Sequence, residues 1–391
     1  MSQGSESQGR NLVVCCDGTN NEFGENNTNV VRLLSLALKR DEQQVVFYEP
    51  GLGTFPAPGA WTPLTKWLTK IMGSAFGFGF SQNLAVCYEF LVEHYRRGDR
   101  IYLFGFSRGA YTARALSALI HVCGLMHSKN TNLVPYAIKL FESEASQAKK
   151  ANDKLEQRTG QRQRLKLSIC DDFKRVFCLS PEVHFLGVWD TVSSVGTIFD
   201  PYKLPHTRWN PSVRTLRHAI SIDEKRKFFR TNLWASSKQT TDARQVWFAG
   251  VHADVGGGYE ERESGLAKIT LEWMLGEARS AGLAIDEAQL ATVFPEVDSE
   301  KDLAGPDPCG KMHNELDRLF WKLMQWIPRR YWVRDEASGQ FVRRWDLSPG
   351  SRPRPIPADA EIHATVYERM QKMPAYRPVN LVDRNDTISV I

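Results

Sequence analysis

No apolar run in the sequence approaches the eighteen or so residues that span a bilayer, and the amino terminus, MSQGSESQGR, lacks the apolar stretch of a secretory signal. The expectation is a soluble, cytoplasmic protein without a transmembrane segment, although export by a route that uses no such signal would leave no trace of this kind. Cysteine is scarce. Seven in 391 residues, an odd number with no C-x-x-C pair, argue against a disulfide framework or a zinc site, and the thiols, including adjacent Cys15 and Cys16, read as reduced and mostly buried. A dominant charge sign is missing too: 50 Lys and Arg against 45 Asp and Glu leave +5, which gives no argument for nucleic acid. There is no internal repeat. Gly73, Gly77 and Gly79 do not have the spacing of a phosphate loop or a dinucleotide fingerprint, so no cofactor is expected.

What remains is the composition of a folded protein, 42% hydrophobic and 11% aromatic. Residues 1–10 read as a polar tail and 11–391 as a single domain, with insertions near 55–80 and 128–180 and an irregular aromatic and basic region over 295–391. Asn11 to Cys16 (NLVVCC), Gln44 to Tyr48, Ile101 to Phe104, Val183 to Trp189 and Gln245 to Val251 read as apolar strands. Helices are expected over Thr28 to Leu38, Gln82 to Arg96, Ala110 to Leu119, Val213 to Phe229 and after Gly265. The GSAFGFGFS segment reads as close packing or a flap. Strands alternating with helices predict an α/β fold with a mostly parallel sheet covered on both faces.

The stretch IYLFGFSRGAYTARAL, from Ile101 to Leu116, sets Ser107 between Gly105 and Gly109 where a strand gives way to a helix. Such a turn strains its central residue and leaves no room for side chains two positions away, which the glycines satisfy. It also lifts the hydroxyl clear of the sheet. A serine attacks only if an imidazole takes its proton, and the imidazole needs a carboxylate to hold its tautomer. Both partners should follow strand ends, in the chain order Ser, acid, His. Asp190, ending VHFLGVW, and His252, ending QVWFAGV before Gly256 to Gly258, meet those conditions.

The competing residues read differently. His218 lies in an expected helix, His121 faces core or interface, and His363 follows no clear strand. Asp171 and Asp172 look like a solvated helix start. Asp254, two residues from His252, is better placed to brace the loop. Two amides are needed for an oxyanion: Arg108 supplies one, and Gly18 or Thr19 after the first strand supplies the other. Asp17 then orients that loop, or joins Asp190 and Asp254 as a cation site, a reading that would leave His252 without its acid.

In order, CCDGTNN, YEPGLGT, GDRIYLFGFSRGAYTARAL, FLGVWDTVSSVG, RHAISIDEKR and VWFAGVHADVGGGY resemble a family of α/β hydrolases of largely unassigned function. That family includes the catalytic domains of type VI secretion phospholipase effectors. The resemblance runs from about Asn11 to Tyr259, with IHATVYERM and YRPVNL similar to its late signature. It implies the α/β-hydrolase fold, Ser107 as nucleophile with Asp190 and His252, an oxyanion loop at Gly18 and Thr19, and hydrolysis of acyl esters, with membrane phospholipid as one substrate class.

Substrate class is also touched by LDRLFWKLMQWIPRRYWVRD, Leu316 to Asp335, where three tryptophans and a tyrosine mix with five basic residues. Interfacial segments have this character, and peripheral contact with a membrane would use it. An amphipathic helix packed on the sheet and ended by Pro328 explains the same residues. A soluble esterase or thioesterase and a catalytically silent binding module stay open beside the lipid esterase.

Overall fold

Alternation along the strands decides which helices cover which face of the sheet. In β1 (Asn11–Cys16), Leu12, Val14 and Cys16 point into one apolar cluster while Val13 and Cys15 point into another, as a period of two requires. The computed structural model describes residues 9–18, 21, 23–51, 74–154, 161–192, 204–235, 241–295, 303–317, 321–322, 325–326, 329–334, 341–346, 352–381 and 389–390.

After β1 the chain runs through α1 (Asn29–Leu36), capped by the Thr28 side chain, to β2 (Gln44–Glu49). Next come α2 (Ser74–His94), β3 (Arg100–Phe106), α3 (Arg108–Cys123) and the short β4 (Leu125–Met126). Two helices follow, α4 (Val134–Lys154) and α5 (Gln161–Phe177), then β5 (Cys178–Leu179), antiparallel to β4. The sheet resumes with β6 (Val183–Trp189), β7 (Val213–Ser221) and β8 (Asp242–Phe248). The short α6 (His252–Gly256) and the longer α7 (Gly265–Ser280) lead to α8 (Leu290–Val293). A hairpin of β9 (Arg329–Arg334) and β10 (Phe341–Asp346) precedes β11 (Glu361–Ile362), α9 (Ala364–Lys372) and β12 (Ser389–Val390).

Eight strands form one sheet in the order β12-β11-β8-β7-β6-β3-β1-β2, every neighbouring pair parallel. The chain leaves β1 toward β2 and returns on the other side as β3. The crevice between the carboxyl ends of β1 and β3 is therefore the switch point at which such sheets bind ligands. On one face α2, α3 and α4 pack on Leu12, Leu103, Leu186 and Val188; on the other α1 and α7 pack on Val13, Phe104, Phe185 and Trp189. The fold is the α/β architecture expected.

Three elements depart from the sequence reading. Val213–Ser221 is a central strand, not the start of a helix. Its two interior arginines hid it, and of these Arg217 is satisfied at the sheet by Glu277 and Asp242. The helix expected from Gln82 starts at Ser74, because helical hydrogen bonding propagates through Gly77 and Gly79 at a cost of only about 1 kcal/mol each. Leu316 to Asp335 forms no continuous helix among the described residues: Glu315–Asp317 is a 3-10 turn and Arg329–Arg334 is strand β9. All seven cysteines are free thiols, and no helix among the described residues is long and apolar enough to cross a membrane.

Candidate active site

Ser107 sits at the β3–α3 junction with φ 58° and ψ −117°, a left-handed conformation that a side-chain-bearing residue adopts only when its surroundings impose it. The imposing contacts are with neighbouring backbone. A Cβ on Gly109 would stand 2.2 Å from the Cys16 carbonyl oxygen, and one on Gly105 would stand 2.5 Å from the Gly109 carbonyl oxygen. Both glycines are thus required for α3 to start against the end of β1. Ser107 N–H donates to the Trp189 carbonyl (3.0 Å), tying the turn to β6.

Asp190 follows β6 directly, also with positive φ (40°), and its amide donates to Ala219 O (2.7 Å). His252 opens α6 beyond β8. There a Cβ on Gly256 would fall 1.9 Å from the Phe106 ring, so the turn packs on β3 only with glycine at that position. Three strand ends converge. The Ser107 hydroxyl donates to His252 Nε2 (2.8 Å), and His252 Nδ1–H donates to Asp190 Oδ2 (2.5 Å). An ionised carboxylate can only accept, so it fixes the proton on Nδ1 and leaves Nε2 open to the hydroxyl.

The electrostatics favour that state. Burial alone would raise the Asp190 pKa, but the Arg354 guanidinium and the His252 hydrogen bond outweigh it and hold the carboxyl well below the usual range. Burial lowers the His252 pKa against the pull of Asp190, so the imidazole is neutral at pH 7. Its ring lies between Phe106 and Phe229, each 4.7 Å away by centroid.

Asp17 accepts from the Thr28 hydroxyl (2.9 Å), the Tyr48 hydroxyl (3.0 Å) and the Gly18 amide (2.7 Å). These bonds tie the start of the loop after β1 to the cap of α1 and to β2. The Gly18 amide, expected to face an oxyanion, is turned back onto Asp17 instead, although the residue lies against Ser107. Thr19 lies outside the described residues. Arg108 begins α3 directly after the Ser107 turn. Asp254 ties its own turn to a distant segment, accepting from Val251 N (3.0 Å), His313 N (3.1 Å) and His313 Nδ1 (2.6 Å). Among the described residues no three metal-ligating side chains converge, so Asp17, Asp190 and Asp254 form no cation cage.

The other histidines and acids lie elsewhere in the fold. His218, on β7, accepts from Thr191 N at Nε2 (3.1 Å), with its protonated Nδ1 facing Gln245 Oε1 (3.4 Å) beside the Arg114 guanidinium, and so supports the Asp190 turn from behind. His121 pairs with Ser212, and His363 caps α9 and stacks on Phe248. Asp172, inside α5 rather than at its start, pairs with exposed Arg175.

Residues 10–277 match the family model described as T6SS, phospholipase effector Tle1-like, catalytic domain. The chain belongs to this family. Its similarity to the uncharacterized protein YEL023C of Saccharomyces cerevisiae is 32% identity over 233 residues, 57% of this chain and 32% of the yeast protein. Two solved structures are more distant. An uncharacterized protein from Pseudomonas aeruginosa is 18% identical (TM-score 0.40, 71% of this chain and 46% of that one). The Tle1 effector bound to the VgrG spike of the type VI secretion system is 18% identical (TM-score 0.35, 66% and 52%). This chain spans about a third to half of the length of these proteins.

Several residues at the site of this Tle1-like chain were not read from the sequence. Within the matched stretch, Glu224 accepts from His252 N (3.3 Å) and pairs with Arg226, whose guanidinium lies over the Phe229 ring at 3.7 Å. Glu224 and Arg226 lie in RHAISIDEKR, where the sequence gives them no role of their own. Beyond the matched stretch come His313, Trp321, which meets Phe229 edge-on at 5.3 Å, and Arg354 on Asp190. No spacing links them to the strand-end residues.

Proposed function

We propose that the protein is a serine hydrolase of carboxylic acyl esters, with phospholipid esters as its substrate class. The observation that carries this reading is the relay Ser107 Oγ to His252 Nε2 (2.8 Å) and His252 Nδ1 to Asp190 Oδ2 (2.5 Å), formed on a strained strand-to-helix turn. The lipid part rests on the family, whose description names phospholipase effectors.

In the proposed reaction Ser107 Oγ attacks the acyl carbonyl while His252 Nε2 takes the hydroxyl proton. The charge that develops on the carbonyl oxygen is assigned to the Arg108 amide at the amino end of α3. A second donor falls to the loop at Gly18 and Thr19; with the Gly18 amide engaged by Asp17, Thr19 is the candidate. His252 returns its proton to the leaving alcohol, a water deprotonated by the same nitrogen attacks the acyl-enzyme, and the adduct collapses as His252 gives that proton to the Ser107 oxygen, which releases the acid. Asp190 stays ionised throughout and stabilises the imidazolium.

The test is hydrolysis of p-nitrophenyl esters of two to sixteen carbons and of phospholipid vesicles by the wild type and by Ser107→Ala. Loss of the nucleophile should lower turnover by about a million-fold. Wild-type activity on long chains or vesicles supports the reading; activity confined to short esters moves the substrate to soluble esters. An inert wild type, equal to the variant on every substrate, overturns the hydrolase.

A further inference from the structure

Arg354 lies in the SRPRPIP segment, 77 residues beyond the end of the family match at residue 277, and its side chain is buried against Asp190. Nη1 donates to Asp190 Oδ1 (2.5 Å) and Nη2 to Asp190 Oδ2 (3.0 Å), the planar fork that suits a carboxylate. Nη1 also reaches Ser221 O (3.1 Å) and Oγ (2.7 Å), and Nη2 reaches the Phe229 carbonyl. The arginine is held by three separate parts of the chain.

With Ser221 N–H on Oδ1 (3.0 Å) and His252 Nδ1–H on Oδ2, each oxygen of Asp190 accepts two donors. The carboxylate cannot rotate away from the imidazole without breaking several of these bonds. We infer that Arg354 is a positioning residue: it locks the Asp190 carboxylate toward His252 and, as a fixed cation behind the pair, sets the pH below which the relay stops. This inference rests on the acyl-enzyme reading above.

The charges around His252 define the expected effect. Glu224 and Arg226, from the β7–β8 connection, pair with each other, and Arg226 also faces Glu315. Asp254, on the same turn as His252, is engaged by His313. His218 and Arg114 stand behind Asp190, with His218 held neutral by burial. Phe106 and Phe229 close the two sides. Among the described residues, Arg354 is the cation in direct contact with Asp190. Without it a buried carboxylate faces the imidazole uncompensated, and the pair takes up a proton at higher pH, whichever partner carries it. Activity then fails at higher pH.

The experiment compares wild type, Arg354→Met and Arg354→Lys by the rate of fluorophosphonate labelling at Ser107 and by p-nitrophenyl butyrate hydrolysis across pH 4–9, with Ser107→Ala as the blank. In Arg354→Met the acid limb should rise by at least one pH unit, making the rate about ten-fold lower at any pH below both limbs. Arg354→Lys, which keeps the charge and loses the fork, should keep the wild-type limb and lower the plateau. A folded Arg354→Met with the wild-type limb overturns the inference. Should Arg354→Met not fold, Arg354→Lys decides: a plateau equal to wild type overturns the positioning role, and a lower plateau on an unmoved limb supports it. Wild type that neither labels at Ser107 nor hydrolyses the ester overturns the acyl-enzyme reading itself. Labelling of wild type with variants that behave identically overturns only the role of Arg354.

Discussion

Asp190 shows how much a single carboxylate can be asked to do at the proposed site. It is fully buried, and in that setting a charge persists only because four donors surround it, two of them on the Arg354 cation. Asp190→Asn keeps the shape and presents an amide where an acceptor was, which disfavours the Nδ1–H tautomer. Turnover should drop by about ten-thousand-fold with the fold intact, as judged by steady-state kinetics beside circular dichroism. Gly109 makes a different demand, since the backbone of β1 occupies the space of any side chain. Gly109→Ala should lower stability by about 1–3 kcal/mol or more, read as the midpoint of urea unfolding. A neutral substitution there would mean that α3 can withdraw from β1, and the tight turn would lose its physical basis. Both positions were legible as residues, one from a strand end and one from the Gly-x-Ser-x-Gly spacing.

At the level of elements, α6 is five residues long and cannot hold its own orientation by helical bonds. Asp254 supplies the anchor by joining the Val251 amide to His313, whose other nitrogen pairs with Glu263 (2.9 Å) under the Tyr259 ring. Burial opposes charge on His313, but the two carboxylates outweigh it and raise its pKa. Asp254→Ala should cost about 1–3 kcal/mol and free the segment around residue 313 from α6. Limited proteolysis should then cut that segment faster than in the wild type; an unchanged cleavage rate and unfolding midpoint would contradict the anchor. Strand β7 was misread at this same scale. A buried central strand with arginines inside it has no alternation to see, and the acids that neutralise Arg217 lie on α7 and at the start of β8.

For the whole molecule, burial sets the pH dependence of stability. Six histidines, 121, 184, 206, 218, 252 and 363, are held below their ordinary value of 6.5, with 121 and 363 pushed down to about 4. Between pH 6.5 and about 4 the unfolded chain binds protons that the folded chain does not, so stability is lost as pH falls through that window. His313, Asp17, Asp223 and Glu49, the last pushed up to about 7 by burial, act in the opposite sense, four groups against six. The melting temperature should fall between pH 7 and pH 5 in a calorimetric series. A constant or rising value would mean that the four opposing groups outweigh the histidines in that range.

Local pattern alone determined the strand-turn-helix around Ser107, the two strand ends that carry Asp190 and His252, and the parallel α/β class. Each of these is a short-range consequence of apolar runs, glycine spacing and chain order. Long-range packing decided the rest: the place of β7 between β6 and β8, the turning of the Gly18 amide onto Asp17, and the arrival of His313 and Arg354 from segments with no periodicity of their own. A buried carboxylate needs a cation in three dimensions, and nothing in one dimension marks which of the arginines will be folded onto it.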